Sequence, residues 1–321
     1  MMSPAPSTRR LLLLGGTGFV GRALCEHLAR VAPGCRVVVP TRRPAAAAHL
    51  RPLPMVELVA TDVHEPAALA RLLVGCDAVV NLVAVLHGDE ARFERVHVEL
   101  PRRLAAACQA AGVRRLVHVS ALGVAEDAPS RYLRSKARGE AVLRQAGLDL
   151  TVLRPSVIFG AQDRFLNLFA ALQAVAPVVP LAGAQAQFQP VWVGDVAAAI
   201  AAALARPDSI GQTYECAGPQ RVPLAALVRL AGQLAGHPRT IVPLPGPLAW
   251  LQALVMEWLP GEPLMTRDNL ASMQVPNVAS GTLPGLEALG IAPASLAAVV
   301  PDYLSPGQQC ARLDAWRARH R

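Results

Sequence analysis

The chain of 321 residues predicts an α/β protein, with a doubly wound parallel sheet followed by a smaller C-terminal lobe. Three observations carry this expectation. Short aliphatic runs alternate with helical stretches through the first half. A glycine-rich turn at Gly15–Gly21 joins the first run to the first helix. After Gly160, Pro and Gly become frequent and the alternation fades. Apolar residues make up 53% of the chain and charged ones 17%, which argues against disorder. Aromatics are only 4%, so the core is aliphatic.

The elements read in order. Arg10–Leu14 is a buried strand, because glycine ends the apolar run too soon for a leader peptide. Phe19–Val31 is a helix stopped by Pro33-Gly34. Arg36–Pro40, Val56–Ala60 and Ala78–Val83 are the next strands. Val96–Ala111 is a helix ended by Gly112, Arg115–Ser120 a fifth strand, Ser130–Gln145 a helix ended by Gly147, and Leu150–Leu153 a sixth strand. Strands separated by helices imply right-handed crossovers that cover both faces. The lobe follows from 161 to 321, with helices at Val196–Leu204 and Leu224–Ala235 and a segment near 190–205 returning to the first domain, 1–160.

Gly15, Gly18 and Gly21 are spaced Gly-x-x-Gly-x-x-Gly between a strand and a helix. That context makes the glycines a dinucleotide-binding fingerprint, the mark of a Rossmann fold. Gly15 permits the turn, Gly18 the approach of a pyrophosphate, and Gly21 close packing of helix on strand. Phe19 and Val20 open the helix, whose N–H groups and dipole favour phosphate. At the end of the second strand an NAD site usually carries an acid for the ribose. Here Arg42 and Arg43 stand instead, suited to a 2′-phosphate. The expected cofactor is NADP(H), with NAD(H) as the alternative. Asp62 and Val63 follow the third strand, where they meet adenine or where Asp62 caps a helix.

Tyr132 and Lys136 lie four residues apart, on one helical face. A neighbouring ammonium favours phenolate, which would bring the Tyr132 pKa down. Ser120, at the end of the fifth strand, would hold a substrate oxygen or the Tyr132 hydroxyl. Among 31 Lys and Arg residues, Lys136 is the single lysine. A lysine kept in an arginine-rich chain marks a place where a compact ammonium is needed.

These residues resemble the short-chain dehydrogenase/reductase superfamily, in its atypical and extended branches. The matching stretches are Gly15–Gly21, Asp62-Val63, Asn81–Val83, His118–Ser120, Tyr132–Lys136 and Arg154–Gly160. A narrower likeness joins Ser130–Glu140, Asp163–Asn167, Gln189–Val196, Thr266–Leu270 and Leu283–Ile291 to the alpha-subcomplex subunit 9 family of respiratory complex I. The resemblance implies that Tyr132 and Lys136 flank the nicotinamide ribose and that Pro155 borders the ring. It also implies NADPH binding and an accessory role at a respiratory complex. His97 stands where many members carry Asn, and reads as a packed histidine rather than a catalyst.

Three functions compete: an NADP(H)-binding accessory protein, an oxidoreductase or epimerase with Tyr132 as acid/base, and a redox sensor. The net charge of +8 comes from scattered arginines, and no nucleic-acid or zinc-finger pattern accompanies it. The six cysteines, at 25, 35, 76, 108, 216 and 310, include no Cys-x-x-Cys pair, so they read as reduced and no metal site is expected. No stretch predicts a spanning helix, because prolines and glutamines interrupt each apolar run. The expected location is cytoplasmic, or peripheral at the inner membrane. Pro247–Leu259 reads as a helix with Leu248, Leu251, Leu254, Val255 and Trp258 near one face. That face is expected to pack on the lobe, with a membrane surface as the alternative.

Overall fold

The computed structural model describes residues 10–258, 261 and 263–305. Following the chain, β1 (Arg10–Leu14), α1 (Phe19–Val31), β2 (Arg36–Thr41), β3 (Val56–Ala60), α2 (Pro66–Leu73) and β4 (Ala78–Asn81) come first. Then come α3 (Glu90–Glu94), α4 (Leu100–Ala111), β5 (Arg115–Val119), α5 (Arg131–Gln145) and β6 (Asp149–Pro155). Next are β7 (Ile158–Phe159), α6 (Leu166–Val175), β8 (Val178–Leu181), β9 (Gln187–Phe188), β10 (Val191–Trp192), α7 (Val193–Ala205) and β11 (Thr213–Cys216). β12 (Val222–Pro223), α8 (Leu224–Leu234), β13 (Thr240–Pro243), α9 (Gly246–Trp258) and α10 (Arg267–Ser272) lead towards the C-terminus.

Two compact units result. The first gathers the described residues up to Pro155 with Val193–Cys216 and Ser280–Ala292. Its sheet runs β11-β6-β5-β4-β1-β2-β3, all parallel. Side chains of a strand alternate between faces. Leu12, Leu14, Val38, Val79, Leu116 and Val152 therefore share one face with Leu69 and Leu73 of α2, Leu100 and Leu104 of α4 and Leu143 of α5. On the other face, Leu11 and Leu13 are fully buried, and α1 packs against α7. The last segment buttresses the edge strand. Glu215 accepts hydrogen bonds from the Ser280 N–H (2.7 Å) and hydroxyl (3.0 Å), and its own N–H donates to the Pro284 carbonyl at 2.9 Å. Five cysteines, Cys25, Cys35, Cys76, Cys108 and Cys216, are buried and free, while Cys310 lies outside the described residues.

The stretch from Val96 is not one regular helix. Residues Arg95–Glu99 form a single π turn, with the Leu100 N–H bonded to the Arg95 carbonyl. Pro101 is the cause. It has no N–H for the His97 carbonyl four residues back, so the chain widens there. Gly139 of α5 then lies so close that a Cβ would strike the His97 carbonyl oxygen. The crossing of α5 over the π turn thus depends on a residue with no side chain.

The second unit gathers Ser156–Trp192, Ala217–Ala279 and the described residues from Pro293 onward. β8 and β13 pair in parallel and bury Val179, Leu181 and Ile241 on α8 residues Leu224 and Val228. Asn277 knits the start of the unit: its Oδ1 accepts from the Ser156 hydroxyl (2.6 Å) and the Val157 N–H (2.9 Å). The face expected to pack on this lobe is exposed instead. Leu248, Leu251 and Val255 are about half exposed and Trp258 is 81% exposed, while Ala249 and Ala253 face inward. Small alanines let α9 approach closely, which turns its large side chains outward. Leu259 lies outside the described residues. No described helix is long and apolar enough to cross a membrane.

Candidate functional site

The glycine turn sits at the C-terminal end of β1. Gly15 has φ of +78°, a left-handed conformation that disfavours a side chain. A Cβ on Gly21 would meet the Gly16 backbone at 2.5 Å, so α1 can lie on β1 only without one. Gly18 differs from both. It is exposed, and a Cβ there would meet only the Gly15 carbonyl, at 3.3 Å. It is also the N-cap of α1, and no side chain caps the helix. The first-turn N–H groups at Phe19 and Val20 thus keep their polarity for an anion.

Arg42 and Arg43 are exposed just beyond β2. No carboxylate from β2 joins them. Burial holds the nearby His64 below its ordinary value; Asp62 pulls it up, and Arg42, Arg95 and Arg103 add to the lowering. Arg95 and Arg103 thus stand near Arg42, and so does the acid Asp62. Asp62 Oδ1 accepts from the His64 N–H at 3.0 Å, which closes a local turn, and Val63 packs on the core. Glu65, not Asp62, is the residue that precedes α2.

At the end of β5, α5 brings Lys136 and Ser120 to one place. Ser130 caps α5 through its hydroxyl and the Leu133 N–H, at 3.2 Å. Lys136 is buried, and its Nζ donates to the Val119 carbonyl at 2.8 Å. Ser120 is buried too; its hydroxyl lies beside Glu140 and helps hold that carboxylate charged, without forming a hydrogen bond of good geometry. A buried hydroxyl with so weak a bond suits a position that receives a ligand oxygen. Tyr132 lies one turn before Lys136, with its ring edge-on to Phe93 and His97 at 6.3 and 5.6 Å between centroids. Pro155 is buried at the end of β6, where its carbonyl accepts from the Leu122 N–H at 3.0 Å.

His97 plays a packing part. Its Nε2 accepts from the Val85 N–H (3.1 Å), so Nδ1 carries the proton towards Ser135 Oγ (2.8 Å). Ser135 in turn donates to the Tyr132 carbonyl at 2.8 Å. Burial and the charge of Lys136 push His97 down to about 3, so it stays neutral. His118 is likewise held well below its ordinary value by burial, with Asn81 Nδ2 on its Nδ1 at 3.2 Å.

The electrostatics correct one expectation. Lys136 does not bring Tyr132 down; burial pushes the phenol up to about 12. At neutral pH Tyr132 therefore holds its proton and can donate it. Lys136 is pushed down to about 8 by burial, partly restored by Glu140. Glu140 is a residue that motif reading missed, although it stands one turn after Lys136. It is fully buried, and Arg154 grips both its oxygens at 3.0 and 2.7 Å, with Arg144 at 2.8 Å. Burial alone would raise its carboxyl, but Arg154, the Ser120 hydroxyl and Arg144 outweigh it and keep the group ionised.

The Lys136 shift makes a stability prediction. Its ordinary value is 10.5, recovered on unfolding. Below pH about 8 both states hold the proton and the buried ammonium costs about 3 kcal/mol. Between about 8 and 10.5 the unfolded chain binds more protons, so stability rises with pH. Lys136→Met is expected to raise stability by about 1–3 kcal/mol at pH 7, with the gain fading by pH 10. Thermal unfolding at both pH values checks this; a less stable variant at pH 7 would overturn it.

The model of the NAD dependent epimerase/dehydratase family matches residues 11–217. The complex I alpha subcomplex subunit 9 of Mus musculus is 36% identical over 296 residues, 88% of this chain and 76% of that protein. A ceramide reductase of Caulobacter vibrioides is 34% identical over 192 residues, 59% of each chain. Among solved structures, gox2253 superposes with a TM-score of 0.71 at 25% identity, covering 97% of this chain and 98% of its own. The chain thus belongs to the NAD dependent epimerase/dehydratase family, within the short-chain dehydrogenase/reductases, and is related to the subunit 9 proteins of complex I.

Proposed function

We propose that this protein binds NADP(H) and serves respiratory or quinone metabolism as an accessory protein of the subunit 9 type, peripheral to the membrane. The exposed Arg42–Arg43 pair, with no carboxylate from β2 beside it, carries the cofactor choice. Gly15, Gly18, Phe19, Val20 and Gly21 would hold the pyrophosphate, Arg42 and Arg43 the 2′-phosphate, and Asp62 with Val63 the adenine. Lys136 would hold the nicotinamide ribose, and Pro155 would border the ring. When bound, the cofactor supplies a hydride. The relation to mitochondrial complex I subunits supports the respiratory link.

A second reading, a working reductase, is favoured by one observation. Tyr132 keeps its proton at neutral pH, and Ser120 holds a buried hydroxyl that forms no hydrogen bond of good geometry among the described residues. Together they can position a carbonyl oxygen and protonate it, the task of a general acid in reduction. Relatives named ceramide reductase and NAD(P)H azoreductase agree with that direction.

The cofactor choice is tested by calorimetry. NADPH is expected to bind more tightly than NADH, and Arg42→Asp with Arg43→Ala to abolish the difference. Each exposed contact should contribute about 1.5 kcal/mol, the low end for a bond to a charged group. Equal affinity for both nucleotides in the unmodified protein would overturn the proposal.

A further inference from the structure

Most of the large apolar side chains that the described structure exposes belong to the second unit. They are Val175, Val178, Val242, Leu248, Trp250, Leu251, Val255, Trp258 and Leu264. Their placement is orderly. Val178 and Val242 stand on the outer side of the β8–β13 pair, whose inner side holds Val179 and Ile241. α9 is tied beside β8 by Gln252 Nε2 on the Pro180 carbonyl at 3.2 Å. Leu248, Leu251, Val255 and Trp258 fall at helical spacing on its outer face. A helix that buries alanines and exposes Leu, Val and Trp inverts the pattern of a core helix. So large an apolar surface marks an interaction site.

The charges around it select the occupant. From Thr240 to Met256 there is no charged residue. The acid that follows, Glu257, is engaged by Arg267, with 2.7 Å to its backbone N–H and 3.0 Å to its Nε. The Arg267 guanidinium also lies over the Trp250 ring, 5.5 Å from its centroid. Exposed Arg239 and His237 stand just before β13. Among the described residues of this unit there are five arginines and four acids, and two of the acids, Asp163 and Asp268, are buried. A face of Trp, Leu and Val with Arg239 and the Arg267–Glu257 pair at its rim fits the boundary between headgroups and acyl chains, where indole rings sit well.

We propose that α9, with the outer side of the β8–β13 pair, docks this protein onto an anionic lipid surface, with Trp250 and Trp258 in the headgroup layer. The surface deepens the membrane part of the reading above, on which it rests, and needs nothing from the nucleotide site. The full chain is mixed with vesicles of phosphatidylcholine alone or with phosphatidylglycerol, and sedimentation and Trp emission are read. Binding to the anionic vesicles is expected to exceed binding to phosphatidylcholine by about tenfold at low salt, with a blue shift in emission. Leu251→Glu and Trp258→Glu should each lower it by about tenfold. Both positions are exposed, so melting temperature and NADPH affinity should not change, and NADPH binding by the same samples keeps failure here distinct from failure of the nucleotide reading. Protein that stays in the supernatant with unshifted emission would overturn the proposal. So would a dimer in solution that these two substitutions break, which would make a second copy the occupant.

Discussion

Replacing Tyr132 by Phe is expected to leave NADPH affinity within about twofold and to lower carbonyl or quinone reduction by about 10²–10⁴. The hydroxyl is the only group removed, and the Phe93 and His97 ring contacts are kept. The size follows from losing a positioned general acid. The pH profile separates this role from a packing one. Tyr132 is pushed up to about 12, so the acid stays loaded across the neutral range. The group that titrates first is Lys136, near 8. The unmodified protein should therefore hold its rate through neutral pH and lose it above about 8, as the ammonium discharges. A Phe variant that turns over as fast as the parent would remove the catalytic reading and leave the accessory one standing.

Gly139→Ala is expected to cost about 3–5 kcal/mol of stability, far more than a usual helix substitution. In an exposed helix the same change would stabilise by roughly 0.5–1 kcal/mol. Here the new methyl would strike the His97 carbonyl oxygen, which is backbone and cannot swing aside. Either α5 moves or the π turn does. Both choices disturb the Ser135 link from His97 to the Tyr132 carbonyl, so nucleotide binding should weaken as well. Urea unfolding with NADPH titration checks the pair of effects. An Ala variant as stable as the parent would show that the crossing tolerates a side chain.

How much of this was legible in the sequence depended on what each residue had to do. β1 was readable to the residue because an unbroken aliphatic run suits a strand buried on both faces, and β3, an edge strand interrupted by Glu57, because valine and leucine run between turn residues. β11 was missed: Thr213–Cys216 is short and holds Glu215, whose carboxylate is satisfied by Ser280, distant in sequence. β7, β9, β10 and β12 have two residues each, too few to carry a period. The π turn read as plain helix, since Pro101 also suits a first helical turn. The glycine loop and the Tyr132–Lys136 face were legible because local spacing defines them. The Tyr132 proton was not, because burial by distant segments outweighs the neighbouring charge that spacing reveals. Glu140 was invisible for the same reason: a helical Glu looks solvated until Arg154 arrives from β6. For α9 the pattern was read correctly but its direction was not, since periodicity says which residues share a face and not which way it points.

The edge strand has a consequence for synthesis. β11 covers the edge of β6, yet the chain between them builds part of another unit before returning. At roughly 5–20 residues per second, several seconds pass at the ribosome between the two strands. Through that interval β6 presents unpaired N–H and C=O groups, an edge open to pairing with the wrong partner. The wait is longer still for the Ser280–Ala292 segment that satisfies Glu215. Nascent chains are thus most exposed to misassembly in the middle of translation, and a pause between β6 and β11 would lengthen that exposure.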